Sequence, residues 1–282
     1  MFGELLREEA ENFIRSIRKV ESPALIYFFH FKTKAQRMKI ILLGYGRMGR
    51  DVEQAALERG HTIVARYDIN APLPAISSLP PALQGAECAI DFSAPDATEH
   101  HIRSLGPLHI PLVVGTTGWN NKLPALLEFM RQCKGTILYA SNFSVGANIF
   151  FHAAAETAKL INRFADYDIA VHETHHKMKK DAPSGTALTL AETILHHVER
   201  KTEIVTALNN RAIQPKELLV SSSRIGDVAG THTVTFESPA DAIQLTHTAH
   251  NRRGFALGAV WAGEWLQGRT GIFTMKDFLF TT

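Results

Sequence analysis

The chain has 282 residues, 45% apolar and 21% charged, the balance of a globular protein with one large or two modest cores. A net charge of +2 with neutral histidines argues against a dedicated nucleic-acid binder, and two cysteines, Cys88 and Cys133, cannot build a disulfide framework. No apolar run reaches the roughly 18 residues of a membrane span, so a cytoplasmic location is expected.

Residues 1–37 stand apart. Leu5, Leu6, Phe13, Ile14 and Ile17 mark one face of a short helix, while Glu4, Glu8, Glu9 and Glu11 argue against a transit peptide. The stretch reads as an N-terminal extension without an assigned function.

Lys39 to Leu43 is a short continuous apolar run, the pattern of a strand buried on both faces. It leads directly into Gly44-Tyr45-Gly46-Arg47-Met48-Gly49, then a helical pattern through Val52, Ala55, Ala56 and Leu57 that ends at Gly60. A second strand, His61 to Tyr67, finishes at Asp68. Strand, G-x-G-x-x-G, helix, strand and acid in one compact unit is the dinucleotide-binding pattern. Gly44 makes the tight turn, Gly46 admits a pyrophosphate to the backbone, and Gly49 allows close helix–strand packing. Asp68 would accept hydrogen bonds from the adenosine ribose.

The alternation continues. Strands at Glu87 to Phe92, Ile110 to Val114 and Thr136 to Ala140 are separated by helices from Asp96 and around Leu123 to Cys133. They end in Ser93-Ala94-Pro95, in Gly115-Thr116-Thr117-Gly118 and in Ser141-Asn142-Phe143-Ser144. Taken singly, each ending is an ordinary turn. Together they suit a cofactor crevice at the carboxyl edge of an open sheet.

The pattern then changes. A helix from about Ile149 to Phe164 precedes a strand at Asp168 to Val171, and from Leu218 to Ala249 strands dominate. A last helix, Ala256 to Leu266, is expected to pack back on the first unit. The expected fold class is α/β, a Rossmann-type doubly wound parallel sheet with a second α+β domain built on a mixed sheet. The division is 38–144, completed by 254–282, for the dinucleotide domain, and 145–253 for substrate binding and oligomerisation.

Within the second lies E-T-H-H-K-M-K-K-D-A-P-S-G-T, Glu173 to Thr186. Ser184-Gly185-Thr186 opens a helical run with Ala187, Leu190, Ala191, Ile194, Leu195 and Val198 at helical spacing. A helix N-terminus offers free N–H groups and a positive dipole end to an anion. Imidazoles and ammonium groups beside it supply transferable protons. His172 to His176 also spells H-E-x-x-H, but zinc chemistry needs those histidines on a helix. Here the local pattern is a strand followed closely by Pro183, so no metal is expected. A nucleotide-binding redox regulator is the other alternative, one with no need for His175 and Lys179 beside an anion site.

The string H-H-K-M-K-K-D-A-P-S-G-T-A resembles the signature of the 4-hydroxy-tetrahydrodipicolinate (dihydrodipicolinate) reductase family of bacterial lysine and diaminopimelate synthesis. Gly44 to Gly49, Asp91 to Pro95, Gly115 to Gly118, Ala140 to Gly146 and Arg224 to Val234 agree with it in order from Met38 onward. The resemblance implies hydride transfer from NADH or NADPH to carbon 4 of a cyclic unsaturated dicarboxylic acid, and protonation at carbon 3. It assigns His175 as general acid/base, Lys179 as proton donor, His176 as a substrate contact, and Gly185 and Thr186 as a backbone clamp on a carboxylate. The cofactor would lie along Gly44, Tyr45, Gly46, Arg47, Met48, Gly49 and Asp68. Gly115, Thr116 and Thr117, with Ala140, Ser141, Asn142 and Phe143, would flank its nicotinamide half. Ile69 and Asn70 follow Asp68, with no adjacent arginine for a 2′-phosphate, so the preference leans to NADH, although Arg47 offers a compensating charge. The family also implies a homotetramer through the second sheet.

Overall fold

The computed structural model describes residues 37–75 and 80–280, so the reading of residues 1–36 lies outside the described residues. In chain order the first half runs β1 (Lys39–Leu43), α1 (Arg47–Glu58), β2 (Thr62–Tyr67), β3 (Cys88–Asp91), α2 (Pro95–Leu105), β4 (Leu112–Val114), α3 (Leu123–Gln132) and β5 (Thr136–Tyr139). Then follow α4 (Val145–Ile161), β6 (Asp168–His175), α5 (Gly185–His197), β7 (Glu203–Val205), β8 (Glu217–Arg224), β9 (Gly230–Glu237) and β10 (Ala242–Ala249). The chain closes with α6 (Arg253–Trp265), β11 (Gly271–Phe273) and α7 (Met275–Phe280).

Six strands form a parallel sheet in the order β11-β5-β4-β3-β1-β2. Side chains alternate across a strand, so Ile40 and Leu42 enter one core while Ile41 and Leu43 enter the other. Helices α1 and α6 cover the first core through Val52, Ala56, Ala259 and Val260. Helices α2 and α3 cover the second through Ile102, Leu105, Leu126 and Met130. Burial on both faces is why β1 reads as an unbroken apolar run.

The second sheet is mixed, in the order β10-β9-β6-β8-β7. Strand β6 runs parallel to β8 and antiparallel to β9. Helices α4 and α5 pack on one face, where Phe150, Ala154, Leu190 and Ile194 meet Ile169, Val171, Val220 and Val234. Among the described residues no helix is long and apolar enough to cross a membrane.

The expected fold class holds, with local corrections. Helix α4 starts at Val145 rather than Ile149, because the Ser144 hydroxyl caps it by accepting the Ala147 N–H at 3.3 Å. Strand β6 continues past Val171 to His175, since partners on both sides carry the ladder forward. Strands β7 and β11 have three residues each, too few for a two-residue period to show. Helix α6 does pack back on the first sheet, against α1 and the central strands.

That docking depends on a glycine. A Cβ on Gly258 would sit 1.8 Å from the Phe143 carbonyl oxygen, in the turn after β5. Gly258→Ala is expected to cost about 1–3 kcal/mol through overpacking. Urea unfolding would show it as a lowered midpoint, and an unchanged midpoint would refute this account of the α6 contact.

Candidate active site

The glycine loop has the geometry its spacing requires. Gly44 has φ +87°, and a Cβ there would meet the Phe92 carbonyl oxygen at 2.4 Å. A Cβ on Gly49 would meet the Gly44 carbonyl oxygen at 2.1 Å, whereas one on Gly46 would meet nothing within 4 Å. Open space at Gly46, directly before the N-terminus of α1 with Arg47 and Met48, fits a pyrophosphate on free helix N–H groups. Asp68 ends β2, where its Oδ1 accepts the N–H groups of Asn70 at 2.8 Å and Ala71 at 3.1 Å.

Farther along the same edge, the ends of β4 and β5 enclose a cavity of about 250 Å³ whose lining includes Thr116, Thr117, Tyr139, Ala140 and Ser141. Buried Asp91 fixes its wall. The carboxylate accepts the Thr116 hydroxyl at 2.9 Å and the Ser93 N–H at 2.9 Å, and meets His101 Nδ1 at 2.8 Å. Gly115 abuts the Phe92 ring, which a Cβ would approach to 2.1 Å. Asn142 Oδ1 accepts the Ser144 N–H at 2.8 Å. Phe143 differs from the others of its segment, because its side chain is buried in the core, edge-on to Phe92.

The histidine and lysine segment lies on the second sheet. Alternation along β6 turns Ile169, Val171, Glu173 and His175 inward and His172 outward, where His172 Nδ1 meets the Ser221 hydroxyl at 2.8 Å. His172 and His176 therefore have no helical turn between them, and the zinc-peptidase reading of H-E-x-x-H falls.

Register then assembles the site. Glu173 lies opposite Ser222 on β8 and His232 on β9, and His175 lies opposite Arg224. The fully buried Glu173 carboxylate accepts the Ser184 N–H at 3.0 Å, the Ser222 hydroxyl at 2.9 Å and Arg224 Nη2 at 2.8 Å. The Ser184 hydroxyl also donates to it. Burial pushes the Glu173 carboxyl upward, but the hydrogen bonds from Ser184 and Arg224 outweigh that and hold it at about 2.

His175 is nearly buried. Its Nδ1 lies 3.3 Å from Glu173 Oε2 without hydrogen-bond alignment, and its ring stands edge-on to His232 at 5.0 Å between centroids. Burial lowers the His175 pKa; Glu173 opposes this, while Lys179 and Arg224 add to it. Burial, then the His175 charge, depresses His232 to about 4. Glu173, His175 and His232 offer ligand atoms within 4.8 Å of one another. The Arg224 guanidinium already on that carboxylate opposes a metal cation there.

Lys179 Nζ reaches both Asp181 carboxylate oxygens at 2.8 Å, and its backbone N–H bonds the His176 carbonyl at 3.1 Å. Ser184 caps α5 by accepting the Ala187 N–H at 3.2 Å. The N–H groups of Gly185 and Thr186 belong to the first helical turn, which has no internal acceptors. A Cβ on Gly185 would meet nothing within 4 Å, so the approach is open. Glu173, Ser184, Ser222, Arg224 and His232 received no role from the sequence. The available signal was Glu173 in step with Ile169 and Val171, an acid on an apolar strand face.

Two outcomes follow from this packing. A Cβ on Gly230 would lie 2.9 Å from His175 Nε2, so Gly230→Ala is expected to displace the imidazole and lower kcat about 10²-fold. An alanine variant with wild-type kcat would break the link between Gly230 and His175. His232 titrates at 6.5 when unfolded and about 4 when folded, so between those values the unfolded state binds the extra proton. Stability is therefore complete above pH 6.5 and falls, by about 3 kcal/mol, as pH drops to 4. Glu173 adds its own loss lower, between 4.5 and about 2. Unfolding free energies measured across this range should slope less in His232→Gln; equal slopes would remove His232 as the cause.

Models of the dihydrodipicolinate reductase N-terminus and C-terminus match residues 38–143 and 146–279. The 4-hydroxy-tetrahydrodipicolinate reductase of Christiangramia forsetii is 41% identical over 86% of this chain and 98% of its own length. That of Rickettsia bellii is 37% identical over 83% and 90%. In fold, the chain is similar to the dipicolinate-bound dihydrodipicolinate reductase from Paenisporosarcina sp. TG-14, with TM-score 0.71 and 19% identity over 87% of this chain and all of that one. With both family models covering nearly everything after residue 37, the chain belongs to the dihydrodipicolinate reductase family.

Proposed function

We propose that the chain reduces 4-hydroxy-2,3,4,5-tetrahydrodipicolinate to tetrahydrodipicolinate, with NADH or NADPH, in diaminopimelate and lysine biosynthesis; the 4-hydroxyl and a carbon-3 hydrogen leave as water, and the resulting C3=C4 bond takes up hydride and proton. Family membership supports the reaction. The observation that carries its placement is the α5 N-terminus, opened at Gly185 and locked by Ser184 onto buried Glu173, with His175 and Lys179 on the same short segment.

Each part has a physical task. The N–H groups of Gly185 and Thr186 clamp a ring carboxylate, aided by the helix dipole. His176 adds a contact to the dicarboxylate. Gly44 to Gly49 and Asp68 would hold the dinucleotide, which would supply a hydride for carbon 4. Lys179 delivers the proton that carbon 3 takes up as electron density reaches it, and its ammonium polarises the ring. His175, an imidazole whose pKa burial lowers, serves as general acid/base. Asp181 restrains Lys179 before substrate arrives.

Asp68 without a following arginine supports NADH as the preferred donor. The segment 38–144, completed by 254–282, serves as the dinucleotide domain, and 145–253 as the substrate domain. The polar outer face of the second sheet, with Thr231, Thr233, Thr246 and Thr248 paired across β9 and β10, supports assembly into a homotetramer. A cytoplasmic location accords with this biosynthetic role.

His175→Ala and Lys179→Ala should each lower turnover by about two or more orders of magnitude while NADH binding survives. The assay follows nicotinamide oxidation, with substrate generated in place from pyruvate and aspartate semialdehyde by the preceding enzyme. Full activity in both variants would sink the site assignment. Nucleotide binding without substrate-dependent oxidation in the unmodified protein would favour the redox-regulator reading.

A further inference from the structure

On the flank of the glycine loop, three side chains form a cluster that the proposed chemistry does not use. Arg66 lies on β2, two residues before Asp68. Its guanidinium is 42% exposed and donates through Nε to the Glu53 carboxylate of α1, at 3.1 and 3.3 Å. A second contact runs from Nη2 to the same group. The Tyr45 hydroxyl, from the glycine loop itself, also donates to Glu53. The Tyr45 ring lies 5.6 Å from the Arg66 guanidinium and 5.7 Å from that of Arg50.

We propose that Glu53 is a specificity-determining residue that disfavours NADPH by tethering and neutralising Arg66, the arginine two residues before the ribose-binding Asp68. The proposal rests on the reading of Gly44 to Gly49 and Asp68 as the dinucleotide site. A ribose 2′-hydroxyl there meets Asp68 as an acceptor. A 2′-phosphate meets the negative charge of Asp68, while the charge of Arg66 is already cancelled by Glu53. Arg47 and Arg50, in the first turn of α1, complete the charged groups on this flank. The ion pair is strong enough to hold the Glu53 carboxyl below its ordinary range, with the Arg66 hydrogen bond as the leading cause. Glu53 acts through Arg66 and is a positioning residue for a cation, without contact to the reacting atoms.

The test compares kcat/KM for NADPH and for NADH in the full chain, its Glu53→Gln variant and the Glu53→Gln/Arg66→Gln double variant. Glutamine removes the charge and keeps an acceptor for Tyr45. The single variant should raise the NADPH-to-NADH ratio about tenfold, the factor carried by ~1.4 kcal/mol. The gain should appear as a lower KM for NADPH and shrink at high ionic strength, as an exposed charge effect must. The double variant should return the ratio to its starting value. A Glu53→Gln ratio within twofold of the unmodified protein, with or without a change in melting temperature, would overturn the proposal and leave only an α1–β2 clasp. A double variant that keeps the gain would overturn it as well. The ratio in the unmodified protein separately tests the NADH preference, because Glu53 can shift the ratio from either starting point.

Discussion

Glu173 sits with its carboxylate fully buried between two strands and a helix start, and the active-site geometry is organised around it. A buried charge is tolerated only when paired and hydrogen-bonded, and here Ser184, Ser222 and Arg224 meet that demand. Each partner is thereby fixed. Ser184 is held at the first turn of α5, which aims the Gly185 and Thr186 N–H groups. Arg224 is drawn from β8 toward the segment that carries Lys179. His175, two residues along the same strand face, is pressed against the same carboxylate. One acid thus couples a helix terminus, an imidazole and a guanidinium that come from three different elements.

The first sheet contributes through a different constraint, the close approach of backbones. Gly44 and Gly49 let β1, α1 and the turn after β3 meet at distances that a side chain would forbid. Gly258 does the same for α6 and the turn after β5. The result is one sheet edge that carries the carboxyl ends of β1, β2, β4 and β5. Buried Asp91, linked to His101 and Thr116, stiffens its far end much as Glu173 stiffens the substrate side.

Charge is distributed unevenly although the whole chain carries only +2. Lys177, Lys179 and Lys180 precede the open α5 terminus by a few residues, a local positive run toward which a dicarboxylate would be drawn. Burial favours neutral imidazole at His175 and His232, which limits the positive charge confined beside Arg224. At the opposite end, Asp68 places negative charge where the adenosine ribose is expected, while Glu53 and Arg66 cancel each other. The two ends of the proposed site would thus recognise different groups by opposite fields.

Local sequence determined the parts whose signal is itself local. The apolar run Lys39 to Leu43, the glycine spacing after it and the Ser184-Gly185-Thr186 helix start each follow from steric or hydrogen-bonding rules that span a few residues. Those rules placed the parallel sheet and the helix that presents Gly185. The three-residue strands β7 and β11 escaped because no periodicity can show in them, and Ser144 hid a helix cap inside a segment read as a loop. The surroundings of Glu173 were decided only by tertiary structure. Ser222, Arg224 and His232 lie roughly 50 to 60 residues away in sequence and reach Glu173 through strand register across β8, β6 and β9. Register is set by which side chains the whole sheet buries together, and a linear pattern carries no record of that pairing.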